Sequence, residues 1–96
     1  MFIQTEETQD PERLRFLPGR EVLSEGTLNL KTKEQAVSSP LAEQLFTISG
    51  VAGVLLSKDS IIVTRSGSDW QHLKPAILGA IMEHFMSGAP VLRAAP

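Results

Sequence analysis

The chain has 96 residues, 42% of them hydrophobic and 21% charged, which suits one soluble globular domain that can fold alone. Its net charge of -2 argues against a general nucleic-acid binder, which would be basic. With no cysteine there is no disulfide, no thiolate for zinc or an iron–sulfur cluster, and no thiol catalysis.

Met1-Phe2-Ile3-Gln4 passes straight into polar residues, with no basic stretch leading a long apolar one. No targeting segment and a cytoplasmic setting are therefore expected. No run approaches the ~20 apolar residues that span a bilayer. Residues Phe2 to Glu7 suit a first strand, and Thr8-Gln9-Asp10-Pro11 a turn, because Asp before Pro opens turns. From Arg13 to Leu17 the side chains alternate: Leu14 and Phe16 face one way, Arg13 and Arg15 the other. Pro18-Gly19 ends that strand. Residues Arg20 to Leu30 read as a loop with a short extended piece.

Thr32 and Gln35 stand at capping-box spacing, and Ser39-Pro40 restarts or kinks the helical stretch they open. Leu41, Ala42, Leu45 and Phe46 give it an apolar stripe, and Gly50 is the expected stop. Val51 to Ser57 and Ser60 to Arg65, joined by Lys58-Asp59, read as an antiparallel hairpin. Val54 and Leu56 take one of its faces and Leu55 the other, so part of the second face is expected to be covered. Ser68 and Gln71 repeat the capping-box spacing before a longer helix over about Trp70 to Ser87. Trp70, Leu73, Ile77, Ile81 and Phe85 share one face of it. Pro75 should kink this helix or mark its true first turn, and Gly88 and Pro90 should end it.

Few residues suggest chemistry. His84 lies in the apolar face of the last helix with no second ligand four residues on, so a buried structural histidine is favoured over a metal ligand or base. Glu6, Glu7, Asp10 and Glu12 lack calcium-loop spacing and read as a solvated strand end. No serine-triad pattern, metalloprotease HExxH motif, phosphate cradle or nucleotide fingerprint is present. No catalytic and no metal residues are expected, and the chain does not read as an enzyme. Arg13 and Arg15, ~7 Å apart on one strand face, fit a plain polar outer face better than a grip on a partner's carboxylate or phosphate, which is the alternative. Trp70 fits a core anchor better than a partner hot spot.

The order of local motifs is more specific. Met1-Phe2-Ile3-Gln4-Thr5-Glu6-Glu7-Thr8 opens the chain, then Asp10-Pro11-Glu12-Arg13-Leu14-Arg15-Phe16-Leu17-Pro18-Gly19 and Val22-Leu23. Ser39-Pro40-Leu41-Ala42, Leu45-Phe46, Ile48-Ser49-Gly50-Val51, Ile61-Ile62-Val63-Thr64, Trp70 with Leu73-Lys74-Pro75, and Ser87-Gly88 follow. Together they resemble the N-terminal domain of NifU-like (Nfu-type) iron–sulfur cluster scaffold proteins, from Met1 to about Val91. Thr8-Gln9-Asp10-Pro11 replaces the family's usual Thr-Pro-Asn-Pro, Leu14-Arg15-Phe16 its Leu-Lys-Phe, and Ser60 a common aromatic.

The resemblance implies a role in cluster assembly or delivery. The iron–sulfur cluster would sit on a Cys-x-x-Cys motif of a C-terminal domain outside this chain, so no cofactor is expected within it. The expected architecture is an α+β two-layer sandwich, an antiparallel or mixed sheet of about four strands on two helical segments. Residues 1–91 would form the domain and 92–96 the start of a linker. The expected function is non-catalytic protein interaction with cluster donors or clients, without nucleic acid or membrane. Asp10, Pro11, Arg13 and Arg15 are the candidate contacts. A standalone regulatory or small-ligand-binding module is the rival.

Overall fold

The computed structural model describes residues 2–67, 69–88 and 91–92. Alternation sets the second strand: in Arg13–Leu17 (β2), Leu14 and Phe16 are buried while Arg13 and Arg15 point away. Gln4–Glu7 (β1) pairs with it antiparallel, Glu6 opposite Arg15. Phe2 is exposed and precedes the strand, which is shorter than the Phe2–Glu7 run expected.

The 20–30 segment yields one short strand, Leu28–Leu30 (β3). Val22 and Leu23 are buried, and both of their amides donate to the Lys58 carbonyl. Gln35–Ser38 forms a 3-10 helix. The Gln35 amide donates to Thr32 Oγ1 at 3.2 Å, and Gln35 Oε1 accepts from the Lys31 amide at 2.7 Å. This is the reciprocal pairing of a capping box with the return bond moved one residue outward. Ser39 is extended and begins a separate helix, Pro40–Phe46 (α1); its buried Oγ accepts from the Ala42 amide at 3.1 Å, with Pro40 in the first turn.

Thr47, not Gly50, caps the end of α1. Gly50, with φ 101°, makes the reversal into Val51–Leu56 (β4), a backbone shape that disfavours a side chain. A β-bulge falls between Val51 and Gly53. The β4 strand returns through Ser57–Ser60, where the Ser57 amide donates to the Ser60 carbonyl at 2.9 Å, into Ile61–Arg65 (β5). Trp70–Ser87 (α2) closes the fold. Its N-cap is Asp69, which makes no side-chain capping bond; Ser68, the expected cap, lies outside the described residues. Pro75 stands inside α2 rather than in its first turn. Gly88 ends the helix at φ 77°, and Pro90 is outside the described residues.

The sheet order is β1-β2-β5-β4-β3, antiparallel throughout. It therefore has five strands rather than about four. The extra one is β3, an edge strand of three residues that pairs Leu30 with Val54. Phe16, Val54, Leu56, Ile61 and Val63 fill one sheet face, and Leu41, Leu45, Leu73, Ile77 and Ile81 of the helices meet them in a single core. Burying each such side chain contributes about 1.5–3 kcal/mol. The other face carries no helix among the described residues. Leu17, Leu55 and Ile62 lie there half-buried, so the cover expected over Leu55 is not supplied by another element.

Candidate functional site

The four expected contact residues gather at one end of the sheet, around the β1–β2 turn. The local sequence organises this turn on itself. Asp10 Oδ1 accepts from the Glu12 amide at 2.9 Å, and the Asp10 carbonyl accepts from the Arg13 amide at 3.0 Å. The Thr8 hydroxyl accepts from the Asp10 amide at 3.1 Å and shares its proton between the Asp10 and Arg13 carbonyls, at 2.9 and 3.1 Å. Side-chain bonds from Thr8 and Asp10 thus hold the turn.

A second set of contacts ties the turn to the start of α2. The Trp70 indole Nε1 donates to the Pro11 carbonyl at 3.0 Å, across 59 residues of sequence. Arg65 Nε reaches the same carbonyl at 3.5 Å and lies 3.5 Å from Glu12. The Arg65 amide donates to the Glu12 carbonyl at 2.8 Å. Pro11 therefore contributes its carbonyl to the fold itself. Trp70, read as a core anchor, is half-buried and anchors the turn by a polar bond as well as by packing.

Arg13 and Arg15 point out of the uncovered sheet face. Arg15 Nη1 is 3.2 Å from Glu6, its cross-strand neighbour, and Arg13 Nε is 3.8 Å from Asp10. At this exposure each pair is worth ~0–1 kcal/mol, so a partner's carboxylate can replace the internal one at little cost.

Two grooves of about 540 and 410 Å³ flank the turn and share Glu7, Thr8, Gln9, Asp10 and Arg13. The first opens on the bare sheet face, with Arg15 and Ile62. The second lies toward α2, with Leu14 at its floor and Trp70, Arg65 and Lys74 along its wall. Residues of this second groove beyond the turn were not legible in the sequence, since α2 and β5 reach it only through tertiary packing.

No group of three or more His, Asp or Glu side chains able to hold a metal is present among the described residues. His84 is buried, its ring edge-on to Phe85 at 5.3 Å, among Ile77, Ala80 and Ile81 of the same helix. His72 is exposed. The residues therefore do not fit an iron–sulfur cluster: the sequence offers no thiolate, and these histidines and carboxylates do not converge. No described helix is long and apolar enough to cross a membrane.

Comparison with known proteins adds identity to this geometry. The family model described as scaffold protein Nfu/NifU N terminal matches residues 3–88. The human protein named NFU1 iron-sulfur cluster scaffold homolog, mitochondrial, is 46% identical over 94 residues, 96% of this chain and 37% of that protein. Its Drosophila sechellia namesake is also 46% identical, over 96% of this chain and 33% of its own length. The chain thus spans about a third of the length of these relatives. A solution structure of a NifU-like protein from Saccharomyces cerevisiae shares the fold with a TM-score of 0.85 at 20% identity, covering 98% of this chain and 86% of that one. A crystal structure from Staphylococcus aureus aligns with a TM-score of 0.72 at 16% identity, over 84% and 99%.

Proposed function

This chain belongs to the N-terminal family of Nfu/NifU scaffold proteins, and we propose on that footing that it is a non-catalytic interaction domain in iron–sulfur cluster assembly or delivery. The observation that carries the reading is a membership of a scaffold family combined with a sequence of 96 residues that contains no cysteine. Such a domain contributes by recognition, and the cluster, as cargo, rides on thiolates outside these residues. Residues 1–91 make the recognition domain, with the start of a linker at 92–96.

Arg13 and Arg15 are the contacts that donors or clients meet, because both leave the sheet toward solvent and hold only exchangeable carboxylates. Asp10 shapes the turn that carries Arg13, and Pro11 holds it in place through its carbonyl. Neither nucleic acid nor membrane enters this role. The cytoplasmic setting expected from the first residues finds no support in relatives whose names place them in mitochondria. The proposed setting is any soluble compartment that assembles clusters.

The test is binding of purified cluster donors and apo-protein clients to the immobilised domain. Saturable binding to at least one of them is expected, weakened ~10-fold or more by the double substitution Arg13→Glu, Arg15→Glu, from two reversed charge pairs. A domain that binds none of them, or a double variant that binds as well as the parent, overturns the reading.

A further inference from the structure

We propose that the outer face of α2 is a self-association surface, which pairs with α2 of a second copy of the chain running antiparallel. This inference goes beyond the interaction role and stands or falls without it.

The helical period sets out the face. At ~100° per residue, His72, Pro75, Ala76, Gly79, Glu83 and Met86 fall within about 60° of Gly79, and all are exposed. Leu73, Ile77, Ala80, Ile81 and His84 take the buried side. An outer helix face ordinarily carries charges of both signs, yet here Glu83 is the one acid and no Lys or Arg stands with it. Met86 is 76% exposed, and with Met82 it borders a groove of about 420 Å³ that runs to Gly79. A glycine at that point serves no packing inside the domain. A Cβ there would meet nothing within 4 Å, and glycine in a helix interior costs about 0.8–1 kcal/mol against alanine. What it offers in return is close approach by another backbone.

The order of side-chain sizes selects the occupant. Pro75, Ala76 and Gly79 keep one half of the face low, while Met82, Glu83 and Met86 raise the half toward the C-terminus. A partner must be tall where α2 is low and low where α2 is tall. An antiparallel copy of α2, crossing at Gly79, meets that need by symmetry. It lays Met82 and Met86 over the second copy's Pro75 and His72, and the reverse.

Charge agrees with this arrangement. A two-fold axis at Gly79 brings Glu83 beside the second copy's His72, twice, where an imidazole N–H can donate to the carboxylate. The two Glu83 carboxylates stay ~12 Å apart, eight residues along the axis. A parallel pair would instead set Glu83 against Glu83. Neither Glu83 nor His72 holds an ion pair with a described residue. From His72 to Met86 the face runs ~21 Å and is one helix, ~10 Å, wide, too small for the ~1,200 Å² of a stable interface. The dimer is therefore weak, filled at millimolar chain and empty at micromolar. Pairing through the helical layer leaves both bare sheet faces and both β1–β2 turns open.

The test is a concentration series of the isotopically labelled 96-residue chain, from about 20 µM to about 1 mM, read by backbone amide shifts and rotational correlation time. Shifts are expected at His72, Ala76, Gly79, Glu83 and Met86, with a rise in correlation time. Gly79→Ala should melt higher as a monomer yet dimerise roughly 10-fold more weakly, because the added methyl holds the helices apart. A purely structural role for Gly79 would not split the two readouts. Glu83→Lys and His72→Glu should each pair less than the parent, and mixing them should restore pairing, since only the mixed dimer sets the new lysine beside the new glutamate. A correlation time that stays monomeric to the top of the series overturns the proposal. So do shifts centred on Leu55 and Ile62, a Gly79→Ala variant that dimerises as well as the parent, or a mixture that pairs no better than its components.

Discussion

Replacing Trp70 with Phe removes one hydrogen-bond donor and keeps an aromatic ring in the same place. The indole donates to the Pro11 carbonyl at 3.0 Å, and Arg65 Nε remains near that oxygen at 3.5 Å. The carbonyl therefore keeps a weaker partner, which sets the loss near the middle of the usual 0.5–1.5 kcal/mol, about 1 kcal/mol. The Arg65 guanidinium stands 6.0 Å from the ring centroid, at the outer limit of a cation–π contact, so little is lost there. For a domain of this size, about 1 kcal/mol lowers the melting temperature by roughly 4–8 °C. The loss should be concentrated in the turn. The Glu12 and Arg13 amides, bonded to Asp10, should exchange with solvent ~5-fold faster relative to the core strands. Circular dichroism melting and amide exchange read the two effects. A variant with unchanged melting and unchanged turn exchange refutes the latch. A drop in melting with no excess exchange at Glu12 and Arg13 shows that Trp70 only fills space.

Three further substitutions test the fold. Ser39→Ala removes the buried acceptor of the Ala42 amide and should cost about 1 kcal/mol in urea unfolding; an unchanged midpoint would dismiss the cap. Gly79→Ala should stabilise by about 0.8–1 kcal/mol, since an added Cβ meets nothing within 4 Å inside an 18-residue helix. A destabilised variant would mean the α2 surface there is not open. Gly50→Ala, at φ 101°, should cost roughly 1–3 kcal/mol, measured by thermal melting; no loss would mean the reversal tolerates a side chain.

Elements with strong periodicity were legible in the sequence. The five alternating residues of β2 fall where Leu14 and Phe16 predict, and the β4–β5 hairpin forms around Lys58-Asp59. Ser39-Pro40 divides two helical pieces as their capping chemistry requires. The failures have local causes. The β3 strand is three residues long, too short for alternation to register, and exists because β4 offers it an edge. Gly50 looks like a helix cap because glycine serves helix ends and reversals alike. The site was half legible. Arg13 and Arg15 share a face by strand period alone, and Asp10 stands three residues from Arg13, but the pairing of Glu6 with Arg15 depends on the strand register. The Pro11–Trp70 bond and the groove wall of Arg65 and Lys74 are tertiary facts, joined across more than 50 residues.

The strand order sets a timetable for the chain during synthesis. β1 and β2 are neighbours in sequence and can pair at once, yet β2 has its other edge on β5. β5 ends 48 residues after β2 does, which at roughly 5–20 residues per second is ~2–10 s later. Until then Leu14 and Phe16 lack Val63 and Ile61, their cross-strand neighbours in the core. The hairpin made first is thus stitched in only when β5 arrives. During that interval, the exposed Leu14–Phe16 stretch is the part of the nascent chain that most needs protection from wrong partners.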